Sequence, residues 1–268
     1  MSIMKKLREY LNRPLSFVMF LLIIISTVIT ALTVVFIIGY IFIKGVPNLS
    51  LDLFSLKYSS SNQSMLPSII NTVYLTALTL LLSVPIGIFS AIYLAEYSRK
   101  NSFFVKIINI ANETLSGIPS IVYGLFGFLA FVISKKWGYS LLAGVITLAI
   151  IVLPLIIRTS QEAMLGVDNT FREASYGLGA GKLRTVFKIV LPSAMPGILS
   201  GIILAIGRIV GETAALIYTA GTVPEAATKL TSSSRTISVH LYCLLNEGLY
   251  TEQAYATAVV LIVFVVII

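Results

Sequence analysis

The run Leu15–Ile43, LSFVMFLLIIISTVITALTVVFIIGYIFI, holds 29 residues without a single charge. About 18–20 apolar residues suffice to carry a helix across the hydrocarbon core of a bilayer, so this run reads as a membrane span. Lys5, Lys6, Arg8 and Arg13 precede it. The apolar stretch is much longer than that of a secretory signal and lacks a small-residue cleavage site, so the span is expected to stay uncleaved. Comparable runs over 66–93, 118–133, 139–157, 194–218 and from 254 onward predict five more spans. Pro85 and Gly87 should kink the second. The connector 96–116 mixes charges and apolar residues at helical spacing, which predicts a helix along the interface. The final run, Ala254–Ile268, ends without flanking charge, so the natural chain is expected to continue beyond it.

The composition agrees. The chain is 57% hydrophobic and 11% charged, against roughly 25% charged in an ordinary soluble domain. Its net charge of +8 is spread between apolar runs instead of forming a patch, so it reads as a topology signal and not as a nucleic-acid footprint. With six spans, one set of loops holds twelve Lys and Arg (5, 6, 8, 13, 99, 100, 106, 158, 172, 182, 184, 188) and the other holds six (44, 57, 135, 136, 229, 235). The positive-inside rule then puts both termini and the 158–192 loop in the cytoplasm. One cysteine, Cys243, and one histidine, His240, exclude an intrachain disulfide and leave no metal-ligand cluster; both are expected to be structural. The expected fold is all-α.

The 158–192 loop is long for a simple turn. Thr170 and Glu173 have capping-box spacing, which predicts a short helix starting at Phe171 and ended by Gly177 and Gly179. A second, basic segment with Lys182, Arg184 and Lys188 follows. Such a helix can be a plug for a socket in a soluble partner, or an amphipathic surface helix with none. Glu173-Ala174-Ser175, then Gly179, Ile189 and Leu191-Pro192, resembles the Glu-Ala-Ala motif of ABC-importer permeases. Ser175 stands where that family usually has a third alanine. The resemblance implies that Arg172, Glu173, Ala174, Ser175, Leu178 and Gly179 belong to a coupling helix seated on an ATPase. The chain itself has no P-loop: Gly177 and Gly181 are separated by three residues instead of four, and Leu183 stands where a Mg²⁺-binding Ser or Thr is required.

Arg208 lies about 18 Å past Pro196, with Glu212 one turn further, if the fifth span is a continuous helix. A charge at that depth costs about 3 kcal/mol or more. Four residues apart, the two could pair on one face, either locking helices together or presenting guanidinium donors to an anionic solute, with Glu212 holding or gating it. Gly197–Gly201 and Gly207–Gly211 have the spacing that admits a neighbouring helix. The segments 207–214 with Thr219-Ala220-Gly221, 118–127 (IPSIVYGLFG) and 152–159 (VLPLIIRT) resemble the A permease subunit of the phosphate-specific ABC importer, a type I permease. That resemblance runs from about residue 66 to the end. It implies a permease core 66–268, preceded by the cytoplasmic segment 1–14 and the first span 15–43 read above from charge and hydropathy. It also implies a multi-pass cell-membrane protein that transports inorganic phosphate and binds no cofactor itself. The implied partners are a second permease subunit forming a heterodimer, two copies of an ATPase that bind ATP and Mg²⁺, and an extracytoplasmic binding protein docked on the 220–252 loop. Arg208 and Glu212 would lie on the solute path, joined by Thr213, Ser120 and Tyr123. Membrane hydroxyls also often bond to their own backbone or a neighbour, so that lining role stays open for Ser120 and Tyr123. Sulfate or molybdate as the anion, an ion-coupled secondary transporter and a membrane regulatory protein are the other readings.

Overall fold

The computed structural model describes residues 14–98 and 103–268. Residues 1–13, with Arg99 and Lys100 of the charge count, lie outside them. All regular structure among the described residues is helical. The helices are α1 (Pro14–Gly45), α2 (Leu66–Tyr97), α3 (Phe103–Gly117), α4 (Ser120–Ser134), α5 (Leu141–Leu165), α6 (Asn169–Gly177), α7 (Lys182–Gly211), α8 (Ala214–Thr219), α9 (Ile237–Glu247) and α10 (Thr251–Ile267). Three of them contain π-helical turns: Tyr93–Tyr97 in α2, Phe128–Ser134 in α4 and Val186–Val190 in α7.

α1, α2, α5 and α7 are each long and apolar enough to span a membrane. The expected third span is a bent pair. α4 is about 22 Å long at the α-helical rise, short of a bilayer core of about 30 Å, and it meets α3 at 100°. The bend falls at Gly117-Ile118-Pro119, because proline has no amide hydrogen and pushes the residue before it out of the helical region. α10 has 17 residues and falls just below the spanning length. The described residues thus give four helices of spanning length, and up to five spans of the expected six if the bent α3–α4 pair crosses as one.

α5 is the centre of the bundle. Its Leu148, Ile151, Val152 and Ile156 are fully buried with Leu75 of α2, Ile209 of α7 and Leu216 of α8. Small residues set the spacing of its neighbours. A Cβ on Gly87 of α2 would lie 2.6 Å from Ile156 Cγ2, and one on Gly197 of α7 would lie 2.7 Å from Ala163 Cβ. A Cβ on Gly201 would collide with the Thr159 side chain. The first glycine pair of α7 therefore does admit a neighbouring helix, whereas Gly207 and Gly211 face nothing within 4 Å. α1 lies outside this core and packs mainly on α10, where Gly45 abuts the Tyr255 carbonyl and Val259.

The opening amides of a helix have no partner within it. In α5 the 220–236 loop supplies them: Leu141 N–H donates to Ser232 O and Leu142 N–H to Leu230 O, both at 2.9 Å, while Ser140 Oγ accepts from Ala143 N–H. Asn71, fully buried in α2, holds the same loop from the other side. Its Nδ2 donates to Glu225 O (2.9 Å) and Arg235 O (3.2 Å), and its Oδ1 accepts from Ala227 N–H (2.8 Å). The loop is thus fastened across one end of the bundle. The opposite end carries α6.

Gly201→Val is expected to force α7 from α5 and lower stability by about 1–3 kcal/mol, read as a fall in the thermal unfolding midpoint in detergent. Gly39→Ala, in α1 with nothing within 4 Å, is expected to leave the midpoint unchanged or raise it by up to about 1 kcal/mol.

Candidate functional site

The fifth span differs from the sequence expectation at the point that matters most. α7 stops at Gly211, Glu212 is extended (φ −72°, ψ 126°), and the helix restarts as α8 at Ala214. Arg208 and Glu212 therefore do not share one helix face, and no ion pair joins them among the described residues. The reason is local competition for Glu212. Its Oε1 accepts from Ala215 N–H (3.2 Å) at the start of α8, and its carbonyl oxygen accepts from Ser238 Oγ (2.7 Å) of α9. One carboxylate oxygen and the carbonyl oxygen of a nearly buried residue are thus engaged in holding the break open. Arg208, half-buried one turn before the break, forms no ion pair or side-chain hydrogen bond among the described residues. It lies within electrostatic reach of Tyr123.

The other expected path residues divide. Tyr123 is buried, and its hydroxyl donates to Leu115 O at 2.8 Å, so it braces the α3–α4 bend. Ser120, half-buried at the first position of α4, makes no side-chain hydrogen bond among the described residues. Thr213 sits in the break itself with Oγ1 3.4 Å from Gly211 O. α4 reaches this point because Gly124 has no side chain: a Cβ there would lie 2.8 Å from Ala215 Cα. Arg208, Thr213 and Glu212 thus gather at a broken helix against α4, with one uncommitted guanidinium among them.

At the other end, α6 spans Asn169–Gly177 and its cap is Asp168, not Thr170. Asp168 Oδ1 accepts from both the Thr170 amide and the Thr170 hydroxyl at 2.9 Å, and these two bonds hold its carboxyl below the usual range. Thr170 therefore donates instead of capping, and the expected capping box with Glu173 does not form. Glu173 and Ala174 are exposed. Ser175 is buried, and its hydroxyl is 2.8 Å from the Thr185 hydroxyl, so the serine in place of alanine ties α6 to α7. The helix ends as expected at a glycine: Gly179 has φ +81°, with its amide on Tyr176 O (2.9 Å) and the Ala180 amide on Ser175 O (3.1 Å). Around this turn Phe171, Tyr176, Leu178 and Leu183 present apolar surface to solvent, Leu178 at 90% exposure.

Arg172 behaves differently from the rest of α6. It points inward to Glu96 at the end of α2 (Nη2–Oε1 2.7 Å) and donates to the carbonyls of Met164 (2.8 Å) and Val167 (2.7 Å). Glu96, Asn71, Asp168 and Ser238 were not among the expected site residues. Two of them had a visible signal: Glu96 is the only acid between Asp52 and Glu113, and Asp168 directly precedes Asn169-Thr170.

His240 and Cys243 lie on α9. His240 is fully buried beside Arg235, whose guanidinium stacks 4.7 Å over the Tyr58 ring. Burial first, and the Arg235 charge second, push the imidazole down to about 3, which keeps it neutral.

A broken helix holding an uncommitted cation, joined through α5 to an exposed elbow, defines a membrane-embedded helical permease. The chain belongs to the family described as "Binding-protein-dependent transport system inner membrane component", matched over residues 83–268, and within it to the PstA-type phosphate permeases. It is 33% identical over 229 residues to a probable ABC transporter permease protein, YqgI, of Bacillus subtilis, covering 80% of this chain and 78% of the relative. It is 35% identical over 218 residues to the phosphate transport system permease protein PstA of Haemophilus influenzae, covering 81% and 77%. Its fold is similar to a chain in the crystal structure of a bacterial alginate ABC transporter in complex with an alginate pentasaccharide-bound periplasmic protein, with TM-score 0.64, 18% identity and 97% and 94% of the two chains covered.

An imidazole that is neutral in the folded protein gains a proton on unfolding once pH drops below the unfolded value of about 6.5. Stability from this site is therefore complete above about pH 6.5 and lost as pH falls towards 3, approaching about 1.4 kcal/mol per pH unit. Thermal midpoints in detergent between pH 7 and 5 are expected to fall, and His240→Phe to flatten that slope.

Proposed function

We propose that the chain is a permease subunit of an ATP-driven phosphate importer, lining half of the path and taking its energy from a separate ATPase. The observation that carries this is the free guanidinium of Arg208 at the helix break, in a chain 35% identical to a PstA permease over most of its length. A planar fork of donors suits a tetrahedral oxyanion. Its carboxylate neighbour is already engaged, which leaves Arg208 net positive electrostatic character and donors to spare. Glu212 acts in this reading as the strut of the break, Thr213 lines it, and Ser120 offers a hydroxyl from α4. Tyr123 braces that helix.

The α6 elbow is the ATPase-docking element. Its exposed apolar rim of Phe171, Tyr176, Leu178 and Leu183, with Glu173, Ala174 and the fixed turn at Gly179, is a shape that a soluble cleft can grip. The elbow and both termini face the cytoplasm, in line with the excess of basic residues in those segments. The permease core 66–268 pairs with a second permease subunit as a heterodimer, and the 220–252 loop receives the extracytoplasmic binding protein. ATP and Mg²⁺ bind the partner ATPase.

Uptake of labelled inorganic phosphate into vesicles holding the full complex tests the substrate. Arg208→Gln is expected to lower uptake about 10- to 100-fold, the worth of a charge-assisted hydrogen bond in the path. Sulfate competing as strongly as phosphate would replace phosphate by a broader oxyanion specificity. Gly179→Val places a β-branched residue at φ +81° and should distort the turn at a cost of about 1–2 kcal/mol. Its expected signature is continued ATP hydrolysis with uptake reduced several-fold; normal uptake would remove the turn from the coupling path.

A further inference from the structure

We propose that Glu96 and Arg172 form the clamp through which movement of α6 reaches the membrane spans, making both of them positioning residues for transport. The proposal rests on the reading of α6 as the ATPase-docking element. One guanidinium joins four pieces of chain. Nε and Nη2 of Arg172 both reach Glu96 Oε1, at 3.1 and 2.7 Å. Nη2 also donates to Met164 O in the last turn of α5, and Nη1 to Val167 O (2.7 Å) and Asn169 Oδ1 (3.3 Å). The side chains are only 13% and 6% exposed.

The second described ion pair makes the contrast. Arg158–Glu162 is 63% and 65% exposed and lies within one helix, so it connects nothing that can move separately. Arg172–Glu96 instead links residues 76 apart in sequence. A shielded pair of this kind adds little net stability, but breaking it leaves an uncompensated charge, so the two partners move together or not at all. The same junction is reinforced where Lys182, at the start of α7, sits 5.0 Å over the Tyr97 ring beside Glu96. Apart from this corner, the described polar tie of α6 to the bundle is Ser175–Thr185, which reaches only the adjoining start of α7. Arg172 is therefore the contact that gives α6 a direct grip on α2 and α5, the two helices with the most extensive mutual packing. Glu96 is the half of the clamp that the motif around α6 does not contain.

The test uses the full complex with its second permease subunit, ATPase and binding protein in proteoliposomes. Glu96→Ala and Arg172→Ala are each expected to lower phosphate imported per ATP hydrolysed by about fivefold or more, a typical coupling magnitude. The double variant should fall no more than about twofold further, because both changes break one connection. Glu96→Asp should keep the ratio within about twofold of the parent. Uptake and hydrolysis falling in parallel would overturn the proposal, as would loss of the ATPase from complexes carrying Glu96→Ala. A second readout does not depend on the cargo: Thr213→Cys in a Cys243→Ser background, labelled by a membrane-impermeant maleimide with and without ATP. Nucleotide should change the labelling rate in the parent and not in Glu96→Ala; an equal response in both overturns the clamp. A parent complex that responds to nucleotide but carries no phosphate discards the phosphate reading while leaving the clamp testable. Retention of the ATPase when Leu178→Asp and Gly179→Val are combined would discard the docking reading instead.

Discussion

A helix broken inside an apolar bundle must find partners for the amides and carbonyls it releases, since no water is at hand to take them. Here the break between Gly211 and Ala214 is held by Glu212, whose carboxylate takes the Ala215 amide while its carbonyl takes the Ser238 hydroxyl. This arrangement decides the chemistry nearby. Had α7 continued unbroken, Glu212 would face Arg208 from the next turn and the two charges would cancel. Because the carboxylate is drawn into α8, the guanidinium keeps its donors for something else.

The same economy of backbone partners organises both ends of α5. At one end its opening amides are capped by the carbonyls of a loop that Asn71 pins in place. At the other, the closing carbonyl of Met164 and the following Val167 carbonyl are taken by Arg172. The central helix is thus tied at each end to a segment that faces away from the membrane interior. It is a rigid rod whose fastenings are polar and whose length is packed by Leu148, Ile151, Val152 and Ile156. Close approach of α2 and α7 along that rod depends on Gly87, Gly197 and Gly201, so the three helices have little freedom to slide.

Much of this was legible in the sequence. Long uncharged runs identify spans because a bilayer leaves few other uses for them, and the turn at Gly179 follows from a residue that alone tolerates positive φ at low cost. The helix break was harder to see. Residues 207–219 are free of proline and, Arg208 and Glu212 apart, carry no charge, so periodicity carries straight through, and the only local hint is a glycine before Glu212-Thr213. Its partner Ser238 lies 26 residues away. The cap of α6 was misplaced by two positions because Asp168 and Thr170 are both competent caps, and the carboxylate captured the hydroxyl as well as the amide. Glu96 stands out as an isolated acid, yet its role was hidden for a different reason. Its meaning comes from a partner 76 residues on, and no local pattern encodes that distance.

The wide turn at Val186–Val190 sets a phase relation along α7. A π-helical turn accommodates one residue more than the helix around it, and each residue turns an α-helix by about 100°. Winding that turn as ordinary α-helix with every residue kept would leave Lys182–Thr185 in place and rotate all of the chain beyond Val190 by roughly that angle. Arg208 would then point towards a different neighbour although nothing near it had changed. The azimuth of the cation is thus fixed some eighteen residues upstream, by how loosely the helix is wound where it leaves the elbow.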